Sequence, residues 1–560
     1  PPWGKGSVTK QSQEWADRAG WEASYKDIGP LFLPKAAALT RQHGSISILQ
    51  PAKSLLFNRS GPIKRFRTHL FTTFKVEEVT NLAAVRFHHF DTSDSPVCII
   101  SFRPKPPDGE PLTYICPKPS KTTYDKNLII IDPQDVNTVL PQEAAKDQLV
   151  WTALMWGGRR DVSLLTSLKR FRRLLDYVDS GQMHARGRVI RGKQEKLVQP
   201  EILDRRILTS EKQIENCLFH IDAESLPLNK DTSTHRRFTN LLAFNVPQLI
   251  LKQSWTVRDG RFRALMVNPD ASGSGIVTTL SYVSVHASQE LEPVLETACM
   301  IYNSIFAVYY LLLTSGRFAV ERPTILDQET LYVPLPELGS DLLKGLNSLG
   351  DVDSTVRSLF AFSEVEWALI EDMTKYTVPS AKSKVSYPYD PTSRENTGYS
   401  EMRLYGEFFL KVLKAGFGED KSITYVPFVE APSQKRLPVR LVAFYLESPL
   451  ETEYKIEEIN SEDLYRRLGL LHRNLMDLGS SSSGGIFFQR IARIYDVTNI
   501  DGQRVPVVYI IKPDQVRYWT RSMALRDADE VAADIMGWAS SDSRSGSDKE
   551  GTGESTAYPL

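Results

Sequence analysis

The chain has 560 residues and a mass of 63.3 kDa, which is too long for one hydrophobic core and predicts several domains. Its 41% hydrophobic and 24% charged residues are typical of folded globular proteins and exclude disorder for most of the chain. The 68 Lys and Arg balance 68 Asp and Glu, so any nucleic-acid surface has to be a local patch. The longest apolar run, 305–314, is half of the roughly 20 residues that span a bilayer, so we predict a cytoplasmic protein with no membrane partner.

The early part of the chain has the pattern of a doubly wound α/β sheet. A strand is predicted at 45–49, followed by a turn at Pro51 and a basic helix through 61–74. Two further strands are predicted in "VEEVTNLAAV" and "SPVCIISFRP", and one more in "NLIIID" at 127–132. Alternation of strands and helices predicts an α/β domain over 1–135.

The remaining chain divides into four further segments by pattern. Residues 136–380 combine a helical stretch with an α+β part that contains one strong helix at 293–316. Residues 381–400 are predicted to be a linker and 401–540 an accessory α+β domain. The polar stretch 541–560 has the composition of a disordered tail.

The cysteines and histidines do not form a metal-binding pattern. The four cysteines lie far apart without the Cys-x-x-Cys spacing of zinc or redox sites, which predicts buried thiols in a reducing compartment. His88, His89, Asp91 and Asp94 are close in sequence, but neighbours on an extended segment point to opposite faces and no second ligand motif follows. We predict no metal site.

An ordered series of motifs carries a family resemblance. "PPWG" opens the chain, "HGSISILQPAKSLLFN" follows about forty residues later, and the basic helix and "FHHFDTSDSPVCIISF" come next. The series resembles the second half of the catalytic domain of N6-adenine DNA methyltransferases. In the gamma-type order of that family the target-recognition region follows the catalytic domain. "WTALMWGGRRDVSLLTSLKRF" and "LETACMIYNSIFAVYYLLLTSGRFAVERPTILDQETLYVPLPE" are similar to the start and the end of such a region.

The resemblance implies a fold, a cofactor and a set of site residues. It implies that 1–135 is the C-terminal half of a doubly wound, Rossmann-like methyltransferase sheet and that 136–380 recognises the target sequence. The cofactor is S-adenosylmethionine, and the partner is double-stranded DNA from which the adenine is flipped out. The implied catalytic residues are Pro1, Pro2, Trp3 and Phe90, with the Pro1 carbonyl binding the adenine amino group and the two aromatic residues stacking on the base.

The same resemblance places important elements ahead of Pro1. The Asn of the Asn-Pro-Pro-aromatic motif and the glycine-bearing cofactor loop precede Pro1 in the family, so we expect this chain alone to bind S-adenosylmethionine poorly and to be inactive. A restriction endonuclease is expected as a partner or fused upstream. The alternative function is a DNA-recognition or specificity protein that does no chemistry.

A basic stretch is the candidate DNA-binding surface. Leu164, Leu168, Phe171 and Val178 recur at helical spacing and predict one helix with a basic second face. The candidate phosphate contacts are Arg159, Arg160, Lys169, Arg170, Arg172 and Arg173. A solvated charged helix face is the competing interpretation.

Overall fold

A computed structural model describes residues 6–22, 27–88, 95–119, 123, 126, 128–146, 149–187, 200–230, 240–255, 260–336, 342–382, 398–418, 422–430, 438–450, 452–479 and 491–545. The chain divides into two compact units, Pro1–Tyr387 and Pro388–Leu560. The division falls inside the range 381–400 that the sequence predicts as a linker.

The first unit begins with a mixed five-stranded sheet. Its strands are β1 (Ile46–Pro51), β2 (Lys75–Asn81), β3 (Val97–Arg103), β4 (Leu112–Ile115) and β5 (Val136–Val139), in the order β1-β3-β2-β4-β5. Strand β3 is antiparallel to both β1 and β2, so these two run in the same direction, and β4 is parallel to β2. Strand β5 is antiparallel to β4. The fold class is mixed α/β.

Short helices surround this sheet. They are α1 (Lys10–Arg18), α2 (Phe32–Leu39), α3 (Gly61–Thr73), α4 (Pro141–Lys146), α5 (Leu149–Trp156), α6 (Arg159–Ser167) and α7 (Leu174–Asp179). Trp151 of α5 is fully buried between the ring of Phe71 at 5.3 Å and the ring of Tyr114 at 5.0 Å. Aromatic packing of this kind joins α3 and α5 to the sheet.

Two predictions in this part of the chain are wrong. The predicted single helix over 164–178 is broken, because residues 172–173 form strand β6 (Arg172–Arg173), which pairs with β14 (Pro334–Leu335). The helix restarts at Leu174, where the Asp176 carboxylate accepts a hydrogen bond from the Arg173 backbone N–H at 2.8 Å. The predicted strand at 127–132 is absent from its described residues, and Leu128 and Ile131 are half exposed.

A second five-stranded sheet follows in the same unit. Its strands are β7 (Met183–Gly187), β9 (His220–Asp222), β10 (Gln248–Lys252), β11 (Ala264–Asn268) and β13 (Tyr282–Ala287), in the order β7-β13-β10-β11-β9. Strands β8 (Ile207–Leu208) and β12 (Val277–Thr278) form a separate parallel pair. The side chains of Ile221, Ile250, Leu265 and Tyr282 contribute to one buried cluster beneath this sheet.

The predicted helix at 293–316 is two helices, α8 (Glu292–Tyr302) and α9 (Ile305–Thr314). The Asn303 side chain donates to the Ala264 carbonyl at 2.8 Å and accepts from the Ala264 N–H at 3.3 Å, so it pairs with the backbone of β11. The Ser304 hydroxyl then caps the new helix by accepting from the Ala307 N–H. The two helical segments are bent by 81° at this break, and in the described part of the chain no single helix could span a membrane.

Three helices close the described part of the first unit: α10 (Leu349–Leu359), α11 (Glu364–Asp372) and α12 (Val378–Lys382). Serines start the first two of them. The Ser348 hydroxyl accepts from the Asp351 N–H, and the Ser363 hydroxyl accepts from the Glu366 N–H. In each of these capping boxes the acidic side chain in turn accepts a hydrogen bond from the backbone N–H of the serine.

The second unit is an α+β sheet domain. Its strands are β15 (Ile423–Glu430), β16 (Val439–Leu446), β17 (Glu457–Ile459), β18 (Ala492–Ile500) and β19 (Gln503–Pro513), in the order β17-β15-β16-β19-β18. Its helices are α13 (Gly398–Phe417), α14 (Ser461–Gly479) and α15 (Arg521–Ser545). A Cβ at Gly406 of α13 would lie 2.1 Å from the Tyr425 ring, so only glycine allows this helix to lie so close to β15. Helix α15 extends into the range predicted as a disordered tail.

Candidate functional site

The four predicted catalytic residues, Pro1, Pro2, Trp3 and Phe90, lie outside the described residues. So do His89, Asp91 and Asp94. The structure does describe strands β1 and β2 and the short helical segment 83–88, which precede Phe90 in the chain. It also describes strand β3, which follows Phe90. The candidate site is therefore built from the strand ends next to that interval.

Three buried polar residues lie side by side at these strand ends. Gln50 near the end of β1 pairs with Cys98 of β3, and Cys98 pairs on its other side with Asn81 at the end of β2. All three are completely buried. Because β1 and β2 run in the same direction, their carboxyl ends meet at one edge of the sheet, which is where open α/β sheets bind ligands. We call Gln50, Cys98 and Asn81 the strand-end row.

Asn81 is fixed by hydrogen bonds on both sides of its amide. Its Nδ2 donates to the Tyr114 hydroxyl at 2.8 Å, and its Oδ1 accepts from the Ala83 N–H at 3.0 Å. The Tyr114 hydroxyl donates in turn to the Trp151 carbonyl at 2.7 Å. These bonds fix the start of the 83–88 segment, which precedes Phe90 in the sequence.

The thiol and phenol groups in and beside this row are held in their neutral forms. Burial raises the pKa of the Cys98 thiol, and it raises that of the neighbouring Cys116 thiol to about 11. Burial also raises the pKa of Tyr114 well above its usual value. The strand-end row can thus donate and accept hydrogen bonds at neutral pH without presenting a charge.

Gln50 differs from Asn81 because its amide has no partner. Neither its Oε1 nor its Nε2 makes a hydrogen bond within the described part of the chain, although the side chain is fully buried. A buried polar group without a partner costs about 1–3 kcal/mol of stability. Such a cost at the end of a strand next to a predicted active site is typical of a residue retained for function. The sequence signal for Gln50 is a polar residue directly after the strand pattern "ISIL", and Gln50 is not among the residues that the motif resemblance implies.

Replacing Gln50 with Met is expected to raise the stability of the first sheet by about 1–2 kcal/mol, because an unpaired amide is exchanged for an apolar group of similar size. Asn81→Leu is the matched comparison and should destabilise by about 1–3 kcal/mol, because it leaves the Ala83 N–H unpaired. Hydrogen exchange of peptides that cover β1–β3 measures both changes. Destabilisation by Gln50→Met equal to that by Asn81→Leu would show that the Gln50 amide has a stabilising partner.

The chain that follows β1 is held tightly. Residues Lys53–Phe57 form a π-helical turn, and the buried Arg67 of α3 donates to the Leu55, Leu56 and Asn58 carbonyls at 3.1–3.3 Å. A Cβ at Gly316 would lie 2.3 Å from the Phe57 carbonyl oxygen. The turn is thus enclosed by α3 on one side and by the chain after α9 on the other. Single π turns occur often at functional sites.

The predicted DNA contacts are not on one helix face. Arg159 binds the Glu143 carboxylate at 2.7 Å and the Thr138 carbonyl, so it holds α6 to α4 and β5. Arg160 is partly buried and already has an interaction partner. Lys169 and Arg170 are exposed on a 3-10 turn, and the Arg170 guanidinium lies 4.8 Å from the Phe171 ring. Arg159 and Arg160 are therefore poor candidates for phosphate contacts.

Strand β6 presents the two remaining arginines. The exposed Arg172 lies over the Tyr177 ring at 3.8 Å, with one long contact of 3.4 Å to the Gln182 side chain. Arg173 donates to Asp176 at 2.8 Å, and this hydrogen bond raises the pKa of the Arg173 guanidinium. Arg172 is the member of the pair that a phosphate could bind without displacing a carboxylate.

The fold adds one basic residue that the sequence did not single out. Arg59, between the π turn and α3, lies 5.2 Å from the Tyr332 ring, and Arg173 lies 5.9 Å from the same ring. The sequence carries no local signal for this approach, because Arg59 and Arg173 belong to segments far apart in the chain.

Comparison with models of protein families finds no match for this chain, and comparison with curated proteins finds none either.

Proposed function

We propose that this chain belongs to an adenine-specific DNA methyltransferase that transfers a methyl group from S-adenosylmethionine to the N6 atom of a flipped adenine. The observation that carries the proposal is the order β1-β3-β2, in which the reversed strand β3 lies between two strands of common direction. The motif resemblance implies that 1–135 contributes one half of a methyltransferase sheet, and these three strands are neighbours in one sheet within that range. Two of these strands, β1 and β3, carry "ISILQP" and "VCIISF" of the resemblance, and β2 carries the predicted strand "VEEVTN".

The chemistry requires that a weak nucleophile be oriented. The N6 lone pair of adenine is delocalised into the ring, so acceptors for the two amino hydrogens are needed to direct it toward the methyl donor. In the proposed site the Pro1 carbonyl is one acceptor, and Trp3 and Phe90 stack on the extruded base. The base has to leave the duplex to reach these groups.

The strand-end row fits the target base better than it fits the cofactor. Its amide and thiol groups are neutral and can bind the edge of a nucleobase, and among the described residues the Gln50 amide has no hydrogen-bond partner. It has no carboxylate for the ribose hydroxyls of S-adenosylmethionine, which when bound supplies the methyl group on a positively charged sulfur. We therefore assign Gln50 to the base side of the site and assign none of the described residues to the cofactor.

A DNA-recognition protein that does no chemistry is the second candidate. It is supported by three arginines that lie beside tyrosine rings, Arg59, Arg172 and Arg173. Phosphate contacts and aromatic surfaces are needed for DNA binding whether or not methyl transfer follows. A restriction endonuclease, fused or separate, would be a partner in either case.

Expression of the complete gene in a bacterial host that lacks adenine methylation tests the proposal. We expect N6-methyladenine at one short recurring sequence in the host DNA, detected by mass spectrometry of nucleosides and by sequencing that reads modified bases. Host DNA free of N6-methyladenine, together with sequence-specific binding by the purified protein, would contradict methyl transfer and favour the second candidate.

A further inference from the structure

Two arginines and two tyrosines from four distant segments meet in the first unit. Arg59 precedes α3, Arg173 lies in β6, Tyr310 lies in α9, and Tyr332 lies just before β14. The two guanidinium groups lie 5.2 and 5.9 Å from the Tyr332 ring. Burial raises the pKa of Tyr310, and the positive charges of Arg173 and, to a smaller extent, Arg59 oppose that rise. Both cations are therefore close to the Tyr310 hydroxyl as well. We call these four residues the arginine–tyrosine cluster.

The positive charge of this cluster is incompletely balanced. Arg173 is paired with Asp176, but Arg59 makes no hydrogen bond or ion pair within the described part of the chain. The Arg59 Nε is shielded from solvent and has no acceptor, and the residue as a whole is partly buried. A guanidinium has five donors and no acceptor capacity, so a partly buried one without a partner favours binding of an anion.

We propose that the arginine–tyrosine cluster binds a backbone phosphate of duplex DNA, with Arg59 as the principal donor. The proposal rests on the proposed function, because that function supplies the DNA. The planar Arg59 fork can bind two phosphate oxygens.

The position of Arg59 gives this contact a consequence for the active site. Ala52, the π turn and Asn58 separate Arg59 from the end of β1, next to which Gln50 lies. Arg67 and Gly316 hold that turn in place. Phosphate contacts fix the register of a protein on DNA without reading its sequence. A phosphate held by Arg59 would therefore set the distance from the DNA backbone to the strand-end row.

The test compares Arg59→Gln with Arg41→Gln. Arg41 is an exposed arginine of the same unit whose side chain makes no hydrogen bond, ion pair or ring contact among the described residues. Binding of the full chain to a fluorescent duplex is followed by anisotropy at several salt concentrations. We expect Arg59→Gln to reduce the slope of log K against log salt by about one and to weaken binding about 5- to 10-fold at low salt, while Arg41→Gln changes neither. Arg59→Lys keeps the charge and should keep the slope while losing part of the affinity.

Each outcome separates this proposal from the methyltransferase assignment. If Arg59→Gln leaves the slope unchanged while Arg172→Gln lowers it, the cluster proposal is wrong and DNA binding stands. If Arg59→Gln lowers the slope but the complete gene never methylates host DNA, the cluster is supported and methyl transfer is wrong. If the unaltered chain binds duplex without salt dependence, the cluster proposal is wrong whatever the methylation result. If the slope falls in Arg59→Gln and hydrogen exchange of α3 is unchanged, the cluster is supported. If the slope falls only together with unfolding of α3, and a folded Arg59→Met keeps the slope, the cluster proposal is wrong.

Discussion

Replacing Asp527 with Asn is expected to lower the free energy of unfolding of the second unit by about 3–5 kcal/mol, because it leaves a buried ammonium without its counter-charge. The Lys512 side chain on β19 is 1% exposed and pairs with the Asp527 carboxylate of α15. The Tyr405 hydroxyl of α13 also donates to Asp527, at 2.6 Å. Lys512 further lies 5.5 Å from the Tyr405 ring and 5.7 Å from the Trp519 ring. One carboxylate thus joins two helices and a strand.

The matched control for Asp527→Asn is the double variant Lys512→Met with Asp527→Asn. Removing both charges leaves no uncompensated ion, so the double variant should be more stable than Asp527→Asn alone. Hydrogen exchange of peptides that cover β16 and β19 measures the opening of this unit separately from the first. If Asp527→Asn lowers the free energy of unfolding by less than about 1 kcal/mol, the Lys512–Asp527 pair contributes no more than an exposed surface pair.

The pH dependence of Asp527→Asn has a defined sign. Burial lowers the pKa of Lys512, and the Asp527 carboxylate opposes that effect, so its removal lowers the pKa further. Between the lowered pKa and the ordinary lysine value of about 10.4, the unfolded chain binds more protons than the folded chain. The stability of Asp527→Asn should therefore rise as pH rises through this window. A fall over the same window would contradict the assignment to Lys512.

Phe90→Ala is expected to reduce methyl transfer by roughly one to two decades, because an aromatic stack contributes about 1–3 kcal/mol per base. Phe90 is the aromatic residue of the resemblance that lies between the 83–88 segment and β3. The measurement is N6-methyladenine formation by the complete gene product, with fluorescence of 2-aminopurine at the target adenine as the report of base flipping.

Phe90→Tyr keeps the aromatic ring and is the control for this prediction. It should retain most of the methylation and of the flipped-base signal. A buried structural phenylalanine would instead cost about 3–5 kcal/mol of stability on truncation to alanine. Early melting of Phe90→Ala with an unchanged flipped-base signal from the folded fraction would assign Phe90 to the core.

The sequence by itself determined the local elements. The period-2 pattern and β-branched residues of "ISIL" and the apolar run "VCIISF" correctly predicted β1 and β3, because strand formation at these sites needs little beyond the residues themselves. Helix starts at Ser348 and Ser363 follow from serine and acidic side chains three residues apart, which satisfy each other's backbone groups. The motif series that suggests adenine methylation is also a property of the sequence alone.

Only the tertiary structure decided where helices break and which distant residues meet. Apolar periodicity continues across Phe171 and across Asn303, but pairing of β6 with β14 and of Asn303 with β11 gives those backbone groups partners outside a helix. The unpaired Gln50 amide is visible only when the register of β1 with β3 is known. Arg59 and Arg173 both approach Tyr332 because folding closes long loops. The local sequence around each residue contains no pattern that predicts such a contact.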